Sequence, residues 1–176
     1  PPLEQAGCRV RTWRDAVAIT VPERLGSLGW VRTMPYPGFP TDAQAPLMAA
    51  ALKADGTTVF TETIFQNRYR HVSEMARMGA RVRTEGKVAI VTGVPRLHGA
   101  SVRCTDLRGG AALCAAALAA EGQSVIAEIH HIERGYEHLD ESLRQLGANI
   151  TRSDHETEAE ETQTEQPTTS EEGAGA

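Results

Sequence analysis

The chain has 176 residues, 40% of them hydrophobic and 23% charged, the make-up of one globular unit able to bury a core. No apolar run approaches the roughly 20 residues of a membrane helix, and the opening PPLEQAG has neither the basic start nor the apolar stretch of a secretory leader. The net charge of -5 is uneven: eight of the 23 acids and none of the 18 Lys and Arg residues lie from Ser153 onward, which leaves residues 1–152 at +3. A mildly basic body with few aromatics and no basic run suits a small anionic ligand better than nucleic acid. Cys8, Cys104 and Cys114 are odd in number and lack CxxC spacing, so they read as reduced apolar side chains of a cytoplasmic protein. No metal site is expected from the histidines, because neighbours such as His130 and His131 on a strand point to opposite faces.

In chain order, PPLEQA reads as the end of a helix, and GCRVRTWRDAVAIT from Gly7 as a strand pair. The chain therefore opens inside a module, as if its start were missing. Thr41-Asp42 opens an alanine-rich helix of about a dozen residues with Asp42 as N-cap, and Asp55-Gly56 closes it. TTVFTETIF then reads as a strand and YRHVSEMARM as a second helix of 3.6 period. Gly79-Ala80 ends that helix, and RVRTEGKVAIVTGV forms a hairpin turning at Glu85-Gly86. Thr105-Asp106 opens another alanine-rich helix, QSVIAEIHHI is the following strand, GYEHLDESLRQ the next helix, and GANITRSD from Gly147 the start of a third hairpin.

These segments are copies. GARVRTEGKVAIVT repeats the hairpin at Gly7, and TDLRGGAALCAAALAAEGQSVIAEIHHIER repeats the stretch from Thr41 to Arg68. The period, near 65 to 70 residues, exceeds that of solenoid repeats, and each unit reads as β-α-β-α-β-β in cyclic order. Symmetry places Asp42 with Asp106 and Arg68 with Arg134. An N-cap accounts for both aspartates, whereas recurring arginines beside converging helix N-termini point to an anion site next to a proton acceptor. From Ser153 the sequence is acidic, lacks a hydrophobic period and is expected to be disordered, giving a body of residues 1–152 and a tail of residues 153–176.

YPGFPTDAQAP, TETIFQNRYRHVSEMARMGA, CTDLRGGAAL and HHIERGYEHLDESLRQLGANI closely resemble the C-terminal half of the UDP-N-acetylglucosamine 1-carboxyvinyltransferase family, the enolpyruvyl transferases that begin peptidoglycan synthesis. The resemblance covers nearly all of residues 1–152 and implies the inside-out α/β barrel built from βαβαββ units, here N-terminally incomplete. It implies UDP-N-acetylglucosamine and phosphoenolpyruvate as substrates, no cofactor, and a partner domain of the same protein that holds the proton donor. It further implies that Asp42 contacts the sugar 3-hydroxyl and acts as general base, and that the backbone of Ile64 meets the nucleotide sugar. Arg68, Asp106, Arg108 and Arg134 are implied site residues, Arg134 toward the phosphoenolpyruvate anion, with Asp106 either in the chemistry or holding arginines in place. Gly109 and Gly110 depart from the family's usual small non-glycine residues and would weaken the helix start by up to about 1 kcal/mol each relative to alanine. Two other readings remain at this point, a 3-phosphoshikimate 1-carboxyvinyltransferase and a non-catalytic module that retains half the fold.

Overall fold

The computed structural model describes residues 2–153. The acidic segment expected to be a disordered tail lies, beyond Ser153, outside the described residues. The first unit is represented by α1 (Pro2–Gln5) and the hairpin β1 (Arg9–Thr12) and β2 (Val17–Thr20). The second unit runs through β3 (Trp30–Arg32), a 3-10 turn (Thr41–Ala43), α2 (Gln44–Ala51), β4 (Thr57–Thr61), α3 (Val72–Arg77), β5 (Arg81–Glu85) and β6 (Val88–Thr92). The third has β7 (Leu97–His98), β8 (Ser101–Arg103), α4 (Leu107–Leu118), β9 (Ala120–Glu121), β10 (Val125–Ala127), α5 (His130–Glu133) and α6 (Leu139–Gln145).

The second unit shows the repeat whole. Its sheet has the order β3-β4-β6-β5, with β3 parallel to β4, and β6 antiparallel to both β4 and β5. This is β-α-β followed by a helix and a hairpin, as the sequence pattern predicts. The third unit repeats the first part of it, with β8 parallel to β10 around α4. Even minor contacts recur, since the short parallel pair β7 and β9 matches an isolated bridge between Gly26 and Asp55.

Helix ends repeat in all three units. Gly7, Gly79 and Gly147 sit at φ 93°, 86° and 96°, a conformation only glycine adopts without strain. The amide after each reaches back five residues, Cys8 N to Leu3 O at 2.9 Å, Ala80 N to Met75 O at 3.1 Å and Ala148 N to Leu143 O at 3.0 Å, satisfying the free helix carbonyls.

The core lies where α2 and α4 pack side by side. Ala45 and Ala49 of α2 and Ala112 and Ala116 of α4 are buried there, and their small side chains let the two helices approach. Met48, Leu52, Phe60, Met75, Met78 and Leu113 fill the space around them. Cys8, Cys104 and Cys114 are buried free thiols, as expected, and burial pushes Cys104 up to about 12 and Cys114 up to about 11. No helix among the described residues is long and apolar enough to cross a membrane.

Three local expectations are corrected. The strand drawn through TTVFTETIF ends at Thr61, and the one drawn through QSVIAEIHHI spans only Val125–Ala127. Glu128 turns the latter at φ 60°, so His130 and His131 fall on α5 with ring centroids 4.1 Å apart rather than on opposite strand faces. Gly56, at φ 92°, lies beyond α2 and turns the chain into β4 instead of capping the helix. The third hairpin expected to start at Gly147 runs beyond Ser153, outside the described residues.

The two hairpins differ in cover. Ile19 corresponds in register to Val91 and Val17 to Ala89. Val91 and Ala89 are fully buried in the core, while Ile19 and Val17, outside it, are 48% and 63% exposed, and no described strand pairs with the outer edge of β2.

Candidate active site

The segment between β3 and α2 is tightly drawn in. Met34 N donates to Phe39 O at 2.9 Å, and a Cβ at Gly38 would come within 2.4 Å of the Met34 side chain, so this turn accepts only glycine. The chain then enters the 3-10 turn that carries Asp42.

Asp42 does not cap α2, which corrects the reading from the repeat. The α2 N-cap is Ala43, without a side-chain hydrogen bond. Asp106, its counterpart, does cap: its Oδ1 accepts from Arg108 N at 3.0 Å and Gly109 N at 2.9 Å. The extra 3-10 turn displaces Asp42 from the cap position and leaves its carboxylate free for another partner. That partner is Arg108 in the third unit, whose Nε donates to Asp42 Oδ1. The pair joins the N-terminal ends of the two central helices, and the Asp42 side chain stays 62% exposed. The Arg108 hydrogen bond holds Asp42 below the usual carboxylate range against the opposing effect of burial, and the charges of Arg108 and Arg68 add to it.

Arg68 approaches the same carboxylate from the end of the β4 loop. Its guanidinium lies 4.4 Å from the centroid of the Phe65 ring, a cation-π contact that restrains it. Ile64 sits in this loop, half exposed, with its backbone N–H donated to Glu62 Oε1 at 2.8 Å, so its carbonyl is the backbone group left for a ligand. Arg134 follows α5 on an exposed turn and makes no side-chain hydrogen bond or ion pair with the other site residues among the described residues. Asp42 thus pairs with Arg108, whose helix start Asp106 caps, and both feel a further site charge, Arg68 acting on Asp42 and Asp106 on Arg108.

The glycines after Arg108 have a packing reason. A Cβ at Gly110 would fall 2.6 Å from Ile132 Cγ1 and 3.0 Å from Cys104 Sγ, and one at Gly109 3.0 Å from His71 Cβ. The low helix propensity of this start is offset by the close seating of α5 and His71 against it. With two glycines in its first turn, α4 depends on its cap, and Asp106→Ala is expected to cost about 1 kcal/mol. A thermal melt would detect this as a lowered midpoint, and an unchanged midpoint would show that the helix start is held by packing alone.

Two buried groups escaped the sequence reading. Glu62 is 1% exposed, and it accepts from Thr33 Oγ1 at 2.9 Å, Thr41 Oγ1 at 2.7 Å, Ile64 N at 2.8 Å and Phe65 N at 3.1 Å. Burial opposes its ionisation, and these four hydrogen bonds together hold it below the ordinary carboxylate value. His71 is fully buried behind the start of α4, and neither ring nitrogen has a hydrogen-bond partner among the described residues. The signal for Glu62 was an acid inside an otherwise β-branched strand end with threonines at 33 and 41. Nothing local in the sequence marks His71 as buried.

Comparison with known proteins gives a consistent picture. A family model described as EPSP synthase (3-phosphoshikimate 1-carboxyvinyltransferase) matches residues 2–143. UDP-N-acetylglucosamine 1-carboxyvinyltransferase 1 of Symbiobacterium thermophilum is 51% identical over 150 residues, 85% of this chain and 34% of that protein. UDP-N-acetylglucosamine 1-carboxyvinyltransferase 2 of Caldanaerobacter subterraneus subsp. tengcongensis is 45% identical over 150 residues, 85% of this chain and 36% of that protein. The chain therefore spans about a third of the length of the curated relatives it matches. Among solved structures, the enolpyruvyl transferase NikO from Streptomyces tendae superposes with a TM-score of 0.76 at 32% identity, covering 84% of this chain and 34% of that one. EPSP synthase from Acinetobacter baumannii shares the fold with a TM-score of 0.60 at 17% identity, covering 86% and 36%.

Proposed function

Because the chain belongs to the EPSP synthase (3-phosphoshikimate 1-carboxyvinyltransferase) family, we propose that it carries one side of an enolpyruvyl transfer site. The reaction is transfer of the enolpyruvyl group from phosphoenolpyruvate to the 3-hydroxyl of UDP-N-acetylglucosamine, with release of phosphate, as the committed step of cell-wall peptidoglycan synthesis in the cytoplasm. Relatives at 45–51% identity bearing that enzyme's name favour the nucleotide sugar over shikimate 3-phosphate as acceptor. The observation that carries the chemistry is the pairing of Asp42 with Arg108 across two repeat units, with the carboxylate still open to an incoming ligand.

Asp42 removes the proton of the acceptor hydroxyl as its oxygen attacks C2 of phosphoenolpyruvate. C3 takes a proton from a donor supplied elsewhere, giving a ketal, which then loses a proton from the C3 methyl as its C2–O bond to phosphate breaks, so that the C2=C3 double bond is restored and phosphate leaves. Arg108 and Arg68 suit the carboxylate and phosphate groups of the donor, since a guanidinium fork meets either through paired hydrogen bonds. A carboxylate held low by a bound arginine is a weak base. An anionic substrate that draws Arg108 onto itself would remove that restraint and raise the basicity of Asp42 when the hydroxyl is in place. Arg134 would reach the donor anion only as part of the completed site.

The test is phosphate release by a polypeptide that contains this chain and the remainder of the enzyme, with phosphoenolpyruvate and either UDP-N-acetylglucosamine or shikimate 3-phosphate as acceptor. Release with the nucleotide sugar alone is expected. Release only with shikimate 3-phosphate would replace the acceptor, and none with either would leave a binding module. Residues 1–152 are read as the catalytic-domain portion, followed by the acidic segment of residues 153–176.

A further inference from the structure

We infer that Glu62 is a positioning residue for Asp42, doing through Thr41 what a helix cap does in the neighbouring unit. The inference rests on the reading of Asp42 as the base. Its observation is a difference between two copies of one module. In the third unit Asp106 is fixed by capping α4, and the counterpart of Glu62 is Glu128, exposed at φ 60° with its carboxylate 3.4 Å from His130 Nδ1. In the second unit the aspartate has left the cap, and the glutamate has moved inside.

Each oxygen of Glu62 has a separate task. Oε2 accepts from the hydroxyl of Thr41, the residue directly before Asp42 and the first of its 3-10 turn. Oε1 accepts from Thr33 Oγ1 at the end of β3 and from the amides of Ile64 and Phe65, and the Phe65 ring carries Arg68. Thr33 adds a second tie, accepting from Thr63 N at 2.9 Å. One buried charge thus holds the segment bearing Asp42 and the loop bearing Ile64 and Arg68 to a common point. Bonds to a buried charged acceptor are stronger than neutral ones and rigidify what they join. The third unit lacks this wiring: Thr105 makes its side-chain bond to adjacent Asp106, and Cys104 stands where Thr33 does.

The test uses the full chain and reads Asp42 itself. Carboxyl titrations followed by carbon NMR would compare the unaltered chain with Thr41→Val, Thr41→Ser and Glu62→Gln. In Thr41→Val the Asp42 midpoint is expected to move up toward the ordinary carboxylate range as its contact with Arg108 loosens, while Thr41→Ser, which keeps the hydroxyl, restores it. Glu62→Gln should also speed amide exchange at Ile64 and Phe65 by at least about tenfold. If Glu62→Gln does not fold, the Thr41 pair decides alone. An Asp42 midpoint that stays in place in folded Thr41→Val, with only the melting temperature lowered, would make Glu62 a structural anchor and overturn the inference. Failure of Asp42 as the base would appear separately, as normal turnover of Asp42→Asn in the complete enzyme.

Discussion

Asp42→Asn is expected to lower kcat of the complete enzyme by roughly 10²- to 10⁴-fold, the usual contribution of a positioned general base. The substitution preserves shape and leaves an amide oxygen facing Arg108, and the side chain is largely exposed and caps no helix. Its thermal midpoint should therefore stay close to that of the unaltered protein. Asp106→Ala gives the opposite contrast, an effect on melting with a smaller one on rate, because the Asp106 carboxylate caps the α4 amides. A rate within a few-fold of normal for Asp42→Asn would remove it from proton transfer and leave it as a ligand contact.

Acid is expected to unfold the chain through His71. Burial lowers this imidazole from the ordinary 6.5 to about 4, with Asp106 opposing weakly, since a charged ring behind α4 would have neither water nor a hydrogen-bond partner. The unfolded chain therefore takes up a proton near pH 6.5 that the folded chain refuses until about pH 4. Stability from this source is fully present above pH 6.5 and declines as pH falls toward 4, by up to about 3 kcal/mol. Denaturant midpoints across that window would measure the loss. His71→Phe should flatten the curve there, whereas an unchanged slope would place the acid sensitivity in other groups.

Much of the architecture was legible because the repeat supplied its own control. Gly7, Gly79 and Gly147 each precede a hairpin or its beginning in the sequence, and each adopts the same left-handed conformation. The alanine runs at residues 45–51 and 111–117 read as buried helices and pack on each other. Repetition also misled. Equal positions were expected to do equal work, so Asp42 was expected to cap like Asp106. The residues inserted between Thr33 and Thr41 change how the chain enters α2, and a comparison of aligned motifs does not show that. The β-branched run toward Ile132 failed for a related reason, since a single left-handed residue at Glu128 ended the strand and no propensity marks a glutamate for that conformation. At the site, the grouping of Asp42 with Arg68 followed from the repeat, and Arg108 was implied by the family resemblance. Glu62 and His71 did not, because burial of a polar side chain is decided by distant segments meeting around it.

The bare outer edge of β2 bears on how the isolated chain behaves at the bench. Its amides and carbonyls face outward beside Val17 and Ile19, and among the described residues β10 likewise pairs on one side only, with β8. Such edges are templates for another strand. Solubility and scattering of this polypeptide by itself should depend on how much of it is dissolved. A charged residue on the β2 edge, such as Ile19→Lys, is the simplest means of keeping the chain dispersed without touching Asp42 or its neighbours.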